Sequence, residues 1–211
     1  KYGIGKFIYA SSSEVYGEPR YLPVDEGHPL VLKDIDNPRH TYAASKIIGE
    51  YYTKWYAQSH GFNYVILRIF NTYGPRMDTS KYGQVIPEFI RKILFERDFT
   101  IIGSGDQTRS FCYIYDTIEM IARASSKVEN EVLNVGNDQE VKIVELGRTL
   151  HELVGHEYHF KTLPPRLGDV EHRVPDISKA KVLLSYAPRF DLRSGLQQTL
   201  EWYREKWQKG L

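Results

Sequence analysis

Apolar and polar positions along the chain change period several times, and each change predicts an element. Lys6-Phe7-Ile8-Tyr9-Ala10 is a short apolar run ending in the polar turn Ser11-Ser12-Ser13, which predicts a buried strand with hydroxyls at its carboxyl end. Residues 17–41 carry Pro19, Pro23, Pro29 and Pro38 with little periodicity and predict a long ordered loop. From Tyr42 to His60 apolar residues recur at helical spacing with no proline, and Gly61 stops the run. Tyr64-Val65-Ile66-Leu67-Arg68-Ile69-Phe70 is then nearly continuous in apolar residues, as a strand covered on both faces should be. Strand, long crossover with helix, strand is the order of a parallel sheet, with chemistry expected near Ser11–Glu14.

After Gly74-Pro75-Arg76 the elements shorten. Helices are predicted at Val85–Arg97, Asp116–Ser125, Ile143–Val154, Ile177–Leu184 and Leu192–Lys209, and strands near Phe99–Ile102, Phe111–Tyr115, Val132–Val135 and Tyr158–Lys161. This texture fits a smaller mixed α/β region better than more of the first sheet. No internal repeat or low-complexity segment interrupts it.

Composition narrows the class of protein. A chain of 211 residues with 41% hydrophobic and 26% charged residues can bury a full core, and no apolar run is long enough to span a bilayer. Residues 1–10 lack the apolar stretch and cleavage site of a secretory signal, and the single Cys112 can form no internal disulfide. A cytoplasmic location is therefore expected. The net charge of +1, with Lys and Arg scattered, provides no basic stripe for nucleic acid. His151-Glu152-x-x-Gly155-His156 imitates a zinc signature, but its histidines stand five positions apart instead of four and leave one helix face, so no metal is expected.

Tyr42 and Lys46 stand four apart on the predicted helix and share one face. An ammonium beside a phenol favours the phenolate, the form a base needs to take a proton from an alcohol. A hydroxyl from the Ser11–Ser13 turn could bond the same substrate oxygen. Taken alone, a tyrosine and a lysine at this spacing are more often a solvated surface pair.

The surrounding motifs change that balance. Ala10-Ser11-Ser12-Ser13-Glu14-Val15-Tyr16-Gly17, Tyr42-Ala43-Ala44-Ser45-Lys46 and Arg68-Ile69-Phe70-Asn71-Thr72-Tyr73-Gly74-Pro75-Arg76 resemble, in order and spacing, the NAD-dependent sugar epimerase/dehydratase family. Gly103-Ser104-Gly105-Asp106-Gln107-Thr108-Arg109 with Tyr113 and Asp116, and then Arg173-Val174-Pro175-Asp176, extend the resemblance almost to the C-terminus. It implies an α/β fold: a partial Rossmann-like doubly wound parallel sheet, its N-terminal strands missing, with a smaller mixed α/β substrate-binding region. Residues 1–78 would be the C-terminal part of the NAD-binding domain. Residues 79–211 would be mainly the nucleotide-sugar-binding domain, with some segments returning to the Rossmann sheet.

By the same resemblance Ser12 is the hydroxyl partner of the base, Tyr42 the base, and Lys46 its activator and a ribose contact. Ser11 and Phe70 would border NAD. Asn71 would hold the diphosphate through its amide, Arg109 would pair with a phosphate through its planar fork, and Gln84 and Val85 would lie near the nucleotide base. The Tyr42 helix, with Tyr51, Tyr52, Trp55 and Tyr56, would contribute to a homodimeric four-helix bundle. One departure stands out: the family's G-x-x-G-x-x-G loop, which holds the NAD pyrophosphate on backbone N–H groups, does not occur here. Gly3-x-Gly5 precedes a strand and Gly103-x-Gly105 lies in the substrate region. Several βα units are accordingly expected before Lys1, and the chain alone is expected to bind NAD poorly.

The family's enzymes oxidise a nucleotide sugar at C4 and differ in the fate of the resulting ketone. Ser13-Glu14, with an arginine at the position of Arg173, resembles UDP-glucuronate decarboxylases, as does Asn37-Pro38-Arg39. Gln84 departs from that pattern, which has arginine there. The expected function is decarboxylation of UDP-glucuronate through a 4-keto intermediate, with Ser13 and Glu14 joining Ser12, Tyr42 and Lys46 as catalytic residues and Arg173 among the substrate contacts. The alternatives are a UDP-glucose 4-epimerase or 4,6-dehydratase, and, outside enzymes, a binding protein that kept the fold without catalysis.

Overall fold

The structure is a computed structural model, described here for residues 3–34, 36, 40–77, 84–96, 99–165 and 171–208. Asn37-Pro38-Arg39 lies outside the described residues. Three parallel strands form the first sheet in the order β1 (Lys6–Ser12), β2 (Asn63–Ile69), β7 (Glu131–Val135). Ser12 pairs with Ile69 and Ile69 with Val135, so the three carboxyl ends are level. In an open parallel sheet that edge is where ligands gather.

β1 continues through Ser11 and Ser12, past the expected end of the strand, because both remain in register with β2. A 3-10 turn, Ser13–Tyr16, comes next, and the Ser12 hydroxyl accepts from the Glu14 N–H at 3.2 Å to cap it. The crossover helix α1 (His40–His60) begins two residues before the predicted start. Its buried positions, Ala43, Glu50, Thr53 and Ala57, are mostly small, and Gly49 is smaller still. A Cβ on Gly49 would stand 2.0 Å from the Tyr9 hydroxyl, so glycine permits the close approach of α1 to β1.

Short elements build the rest. β3 (Thr72–Tyr73) pairs with β6 (Cys112–Tyr113), β4 (Thr100–Ile102) with β9 (Lys161–Leu163), and β5 (Thr108–Ser110) with the antiparallel β8 (Glu140–Lys142). The helices are α2 (Val85–Phe95), α3 (Ile114–Lys127), α4 (Ile143–Val154), α5 (Ser178–Leu184) and α6 (Leu192–Gln208). Two predictions shift. The run Phe111–Tyr115 is strand only at Cys112–Tyr113, because buried Asp116 in the first turn of α3 accepts from the Arg189 and Phe190 N–H groups and from Tyr186. The last strand lies three residues later than Tyr158–Lys161, because Tyr158 packs its ring on Phe99 and His151 and bonds the Val144 carbonyl.

Two main cores result. One joins β2 and β7 to α3 and α5 through Val65, Leu67, Met120, Leu133, Ala180 and Leu184. The larger packs α2, α4 and α6 around Ile86, Ile90, Phe99, Leu146, Leu150 and Tyr203. Replacing Leu150, fully buried there, with alanine removes apolar contact and leaves a void, a cost of about 2–5 kcal/mol. Among the described residues no helix is long and apolar enough to cross a membrane.

Candidate active site

The level carboxyl ends of the first sheet bring together residues far apart in sequence. Ser11, Ser12 and Ser13 are buried at the end of β1 and in the 3-10 turn. Lys46 Nζ donates to the Ala10 carbonyl at 2.8 Å and lies 5.5 Å from the ring centroids of both Tyr42 and Tyr9. The ammonium thus sits between two phenol rings, where ring quadrupoles hold a cation. Tyr42 is 52% exposed, so its ring borders open space. The structure therefore groups Tyr42 and Lys46 with the carboxyl end of β1. Tyr9, the second ring on Lys46, gives no signal in the sequence, where it reads as an ordinary strand residue.

Arg173 approaches the same turn from the other end of the chain. Its NH1 pairs with Glu14 Oε1 and its NH2 donates to the Gly17 carbonyl at 3.1 Å. Its Nε is buried and meets no acceptor among the described residues. The loop reaches this place because Val24 bonds backbone to backbone with Val174 and Asp176, each at 2.8 Å. The Glu14 side chain remains 47% exposed while that of Arg173 is 8% exposed. Sequence motifs nominate the two residues separately, and only the fold joins them.

Phe70 is buried against Tyr16, and its N–H donates to Val135 O at 2.8 Å. Asn71 donates its side-chain amide to Ser110 O at 3.3 Å. Arg109 NH1 donates to Thr108 O at 2.7 Å and Glu171 O at 3.3 Å, which ties it to the segment leading to Arg173. His172 Nδ1 lies 2.8 Å from Thr108 Oγ1 and 3.1 Å from Glu140, a second tie at the same place. Gln84 is exposed at the start of α2, where its side chain makes no capping bond, and Val85 packs half-buried on the larger core. An apolar cavity of about 640 Å³ lies between β1 and the far half of α1, lined by Phe7, Tyr9, Tyr52, Tyr56, His60 and Phe62. It is at the opposite end of β1 from Ser12–Glu14. Among the described residues no group of His, Cys, Asp or Glu could hold a metal ion, and His151 lies 2.8 Å from Gly147 O and meets Phe99 edge-on. Burial pushes the Cys112 thiol up to about 12, so it is no nucleophile at neutral pH.

A parallel sheet ending in a serine turn, with tyrosine and lysine four apart on the crossover helix, defines a class of nucleotide-cofactor fold that comparison identifies. The chain belongs to the NAD dependent epimerase/dehydratase family, whose model matches residues 1–136. It is similar to UDP-glucuronic acid decarboxylase 1 of Xenopus tropicalis, at 37% identity over 95% of this chain and 47% of that protein. A solved UDP-N-acetylglucosamine 4-epimerase of Methanobrevibacter ruminantium, in complex with UDP-N-acetylmuramic acid, superposes with a TM-score of 0.89 at 33% identity, over 96% of this chain and 64% of that one. The UDP-glucuronic acid 4-epimerase of Bacillus cereus, solved with UDP-glucuronic acid and NAD, superposes with a TM-score of 0.84 at 30% identity, over 95% and 62%. The fold is accordingly Rossmann-like α/β, and the chain spans 47–65% of the length of the curated relatives it matches.

Proposed function

We propose that the protein carrying this chain is an NAD-dependent enzyme of UDP-sugars that decarboxylates UDP-glucuronate through a 4-keto intermediate. The observation that carries this reading is the Glu14–Arg173 pair beside the Ser12 turn, because a carboxylate and a cation brought to that turn support the handling of a carboxylated sugar and its proton there. Similarity to a UDP-glucuronic acid decarboxylase across 95% of the chain supports it.

The chain's residues fit the ribose end of NAD. Lys46 uses one N–H on Ala10 O and retains donors beside the exposed Tyr42 ring, while the pyrophosphate loop G-x-x-G-x-x-G does not occur in these 211 residues. NAD, when bound, supplies a hydride acceptor and donor at the sugar carbon. In our reading Tyr42 takes the proton of the C4 hydroxyl, Ser12 holds that oxygen, and Lys46 stabilises the phenolate. The resulting C4 ketone places the carboxylate β to a carbonyl. The C5–C6 bond then breaks, its electron pair passes into the C4–C5 enolate, CO2 leaves, and a proton is delivered to C5. Arg173 orients the carboxylate-bearing sugar, and Glu14, half-exposed beside Ser13, handles the C5 proton. Asn71 and Arg109 would hold the diphosphate once their present bonds to Ser110, Thr108 and Glu171 carbonyls exchange for phosphate oxygens, with Gln84 and Val85 toward the base and Ser11 and Phe70 toward the cofactor. In this reading residues 1–78 belong to the cofactor-binding domain and 79–211 mainly to the sugar-binding domain. The exposed Tyr51, Tyr52 and Trp55 on α1 favour a homodimer through that helix, and a cytoplasmic location accords with the single Cys112.

Full-length protein incubated with UDP-glucuronate should release CO2 and form a UDP-pentose, monitored by mass spectrometry. Glu14→Gln should lower kcat by about tenfold or more and change KM for the UDP-sugar by less than about threefold, as for a group acting mainly in the transition state. Rapid interconversion of UDP-glucose and UDP-galactose with no CO2 from UDP-glucuronate would replace this reading with 4-epimerase.

A further inference from the structure

Behind the Ser12 turn lies a polar network whose ion pair the proposed chemistry does not use. Glu50 stands four residues beyond Lys46, so Tyr42, Lys46 and Glu50 form one stripe on α1. Its carboxylate is buried, accepting from Ser11 Oγ at 2.6 Å and from Arg68 Nε at 3.0 Å on one oxygen, and from Arg68 NH2 at 2.7 Å on the other. Arg68, on the middle strand, also donates to the Tyr16 hydroxyl at 3.1 Å and to Glu26 O at 3.0 Å. One carboxylate therefore joins the catalytic helix to β1, to β2 and to the 3-10 turn.

The need for such a joint arises from the helix face. Backbone pairing sets β1 against β2, but nothing in the backbone sets α1 along β1. The buried apolar positions of α1 are Ala43 and Ala57, with Thr53 beside them and Gly49 on Tyr9, and small side chains interlock little with a sheet; Ile47, partly buried, packs on the Val15, Tyr16 and Phe70 cluster. Bidentate geometry specifies position where smooth apolar contact does not. We propose that Glu50 is a positioning residue: through Ser11 and Arg68 it sets where α1 sits along β1, and so where Tyr42 and Lys46 stand relative to Ser12. This rests on the reading of Tyr42 and Ser12 given above.

The test uses full-length protein and three forms: wild type, Ser11→Ala, and the double variant Glu50→Leu/Arg68→Met. The double variant replaces a buried ion pair with apolar side chains, which usually preserves stability. Its thermal midpoint should stay within about 5 °C of wild type, its kcat should fall by about tenfold or more, and KM should stay within about threefold. Its crystal structure should show the Lys46–Ala10 hydrogen bond broken. Ser11→Ala, which leaves the ion pair whole, should lower kcat by about threefold to tenfold at unchanged KM. A folded double variant with wild-type kcat overturns the proposal. If the double variant fails to fold, unchanged kcat in Ser11→Ala overturns it. If wild-type protein turns over no UDP-sugar, the functional reading falls by itself, and the Lys46–Ala10 bond retained in the double variant's crystal structure overturns the positioning role independently.

Discussion

Two glutamate–arginine pairs flank the Ser12 turn, one behind it and one beside it, and their surroundings are opposite. Behind the turn, the Glu50 and Arg68 side chains are each 6% exposed, joined by bidentate bonds, and every carboxylate oxygen has a donor. Beside it, Glu14 is half-exposed, Arg173 holds it through one nitrogen, and Arg173 Nε has no acceptor among the described residues. The same residue types thus serve differently according to water access. A pair sealed from water cannot exchange partners without a large desolvation cost, so it belongs to the framework. A pair with one hydrated member can open to admit an anionic ligand at small cost, because water already satisfies part of the carboxylate.

Breaking each pair singly should expose this difference. Arg68→Met leaves the buried Glu50 carboxyl without its cation, and urea denaturation of the full-length protein should show a loss of about 3–5 kcal/mol. An Arg68→Met protein as stable as wild type would mean that the region behind the turn is open after all. Tyr42→Phe removes one hydroxyl from an exposed ring, and its fold should survive. Turnover should nonetheless fall about a hundredfold or more, equivalent to about 2.7 kcal/mol in the barrier, as loss of a general base requires. Near wild-type turnover would remove Tyr42 from the chemistry. Arg173→Met should cost only about 1.5 kcal/mol of stability, because Glu14 becomes hydrated instead of stranded. A loss as large as that of Arg68→Met would erase the distinction between the two regions.

The two pairs also differ in how far the sequence reveals them. The helix from Tyr42 to His60 and the Ile143–Val154 helix were legible because each is long enough to show a period, and the strands around Ile8 and Ile66 because their apolar runs are nearly unbroken, although Phe7 and Ile8 are exposed where the run predicts burial. The shared face of Tyr42 and Lys46 follows from helical spacing, while their reading as a catalytic pair rests on the surrounding motifs. The Glu14–Arg173 pair follows from neither, since its members are 159 positions apart and meet only through the Val24 bridge to Val174 and Asp176. β3, β5 and β8 have two or three residues each, too few for alternation to declare itself. Glu50 offered a weak signal. A glutamate on a helix is ordinarily solvated, but Arg68 in the middle of an otherwise apolar strand needed a buried partner, and the 42, 46, 50 spacing indicates which side of α1 could provide it.

The smallest expected effect tests the region behind the turn through its phenol. Tyr16 is fully buried, donates to Asn134 Oδ1 at 2.6 Å and accepts from Arg68 NH1. Burial pushes its hydroxyl up to about 12, with the Arg68 cation opposing but not reversing the shift. The folded state therefore holds this proton more tightly than the unfolded chain, where a tyrosine ionises near 10. The stability this contributes is complete below pH 10 and is lost as pH rises from 10 towards 12. Tyr16→Phe should cost about 1 kcal/mol at pH 8, from the lost hydrogen bonds. Because the variant has no phenol to ionise at this position, its deficit relative to wild type should shrink by pH 11, with urea midpoints measured at both pH values. Glu14→Gln, on the open side, should leave the alkaline slope unchanged. A Tyr16→Phe deficit of the same size at pH 8 and pH 11 would show that the hydroxyl reaches water, and that the framework pair is less sealed than its geometry indicates.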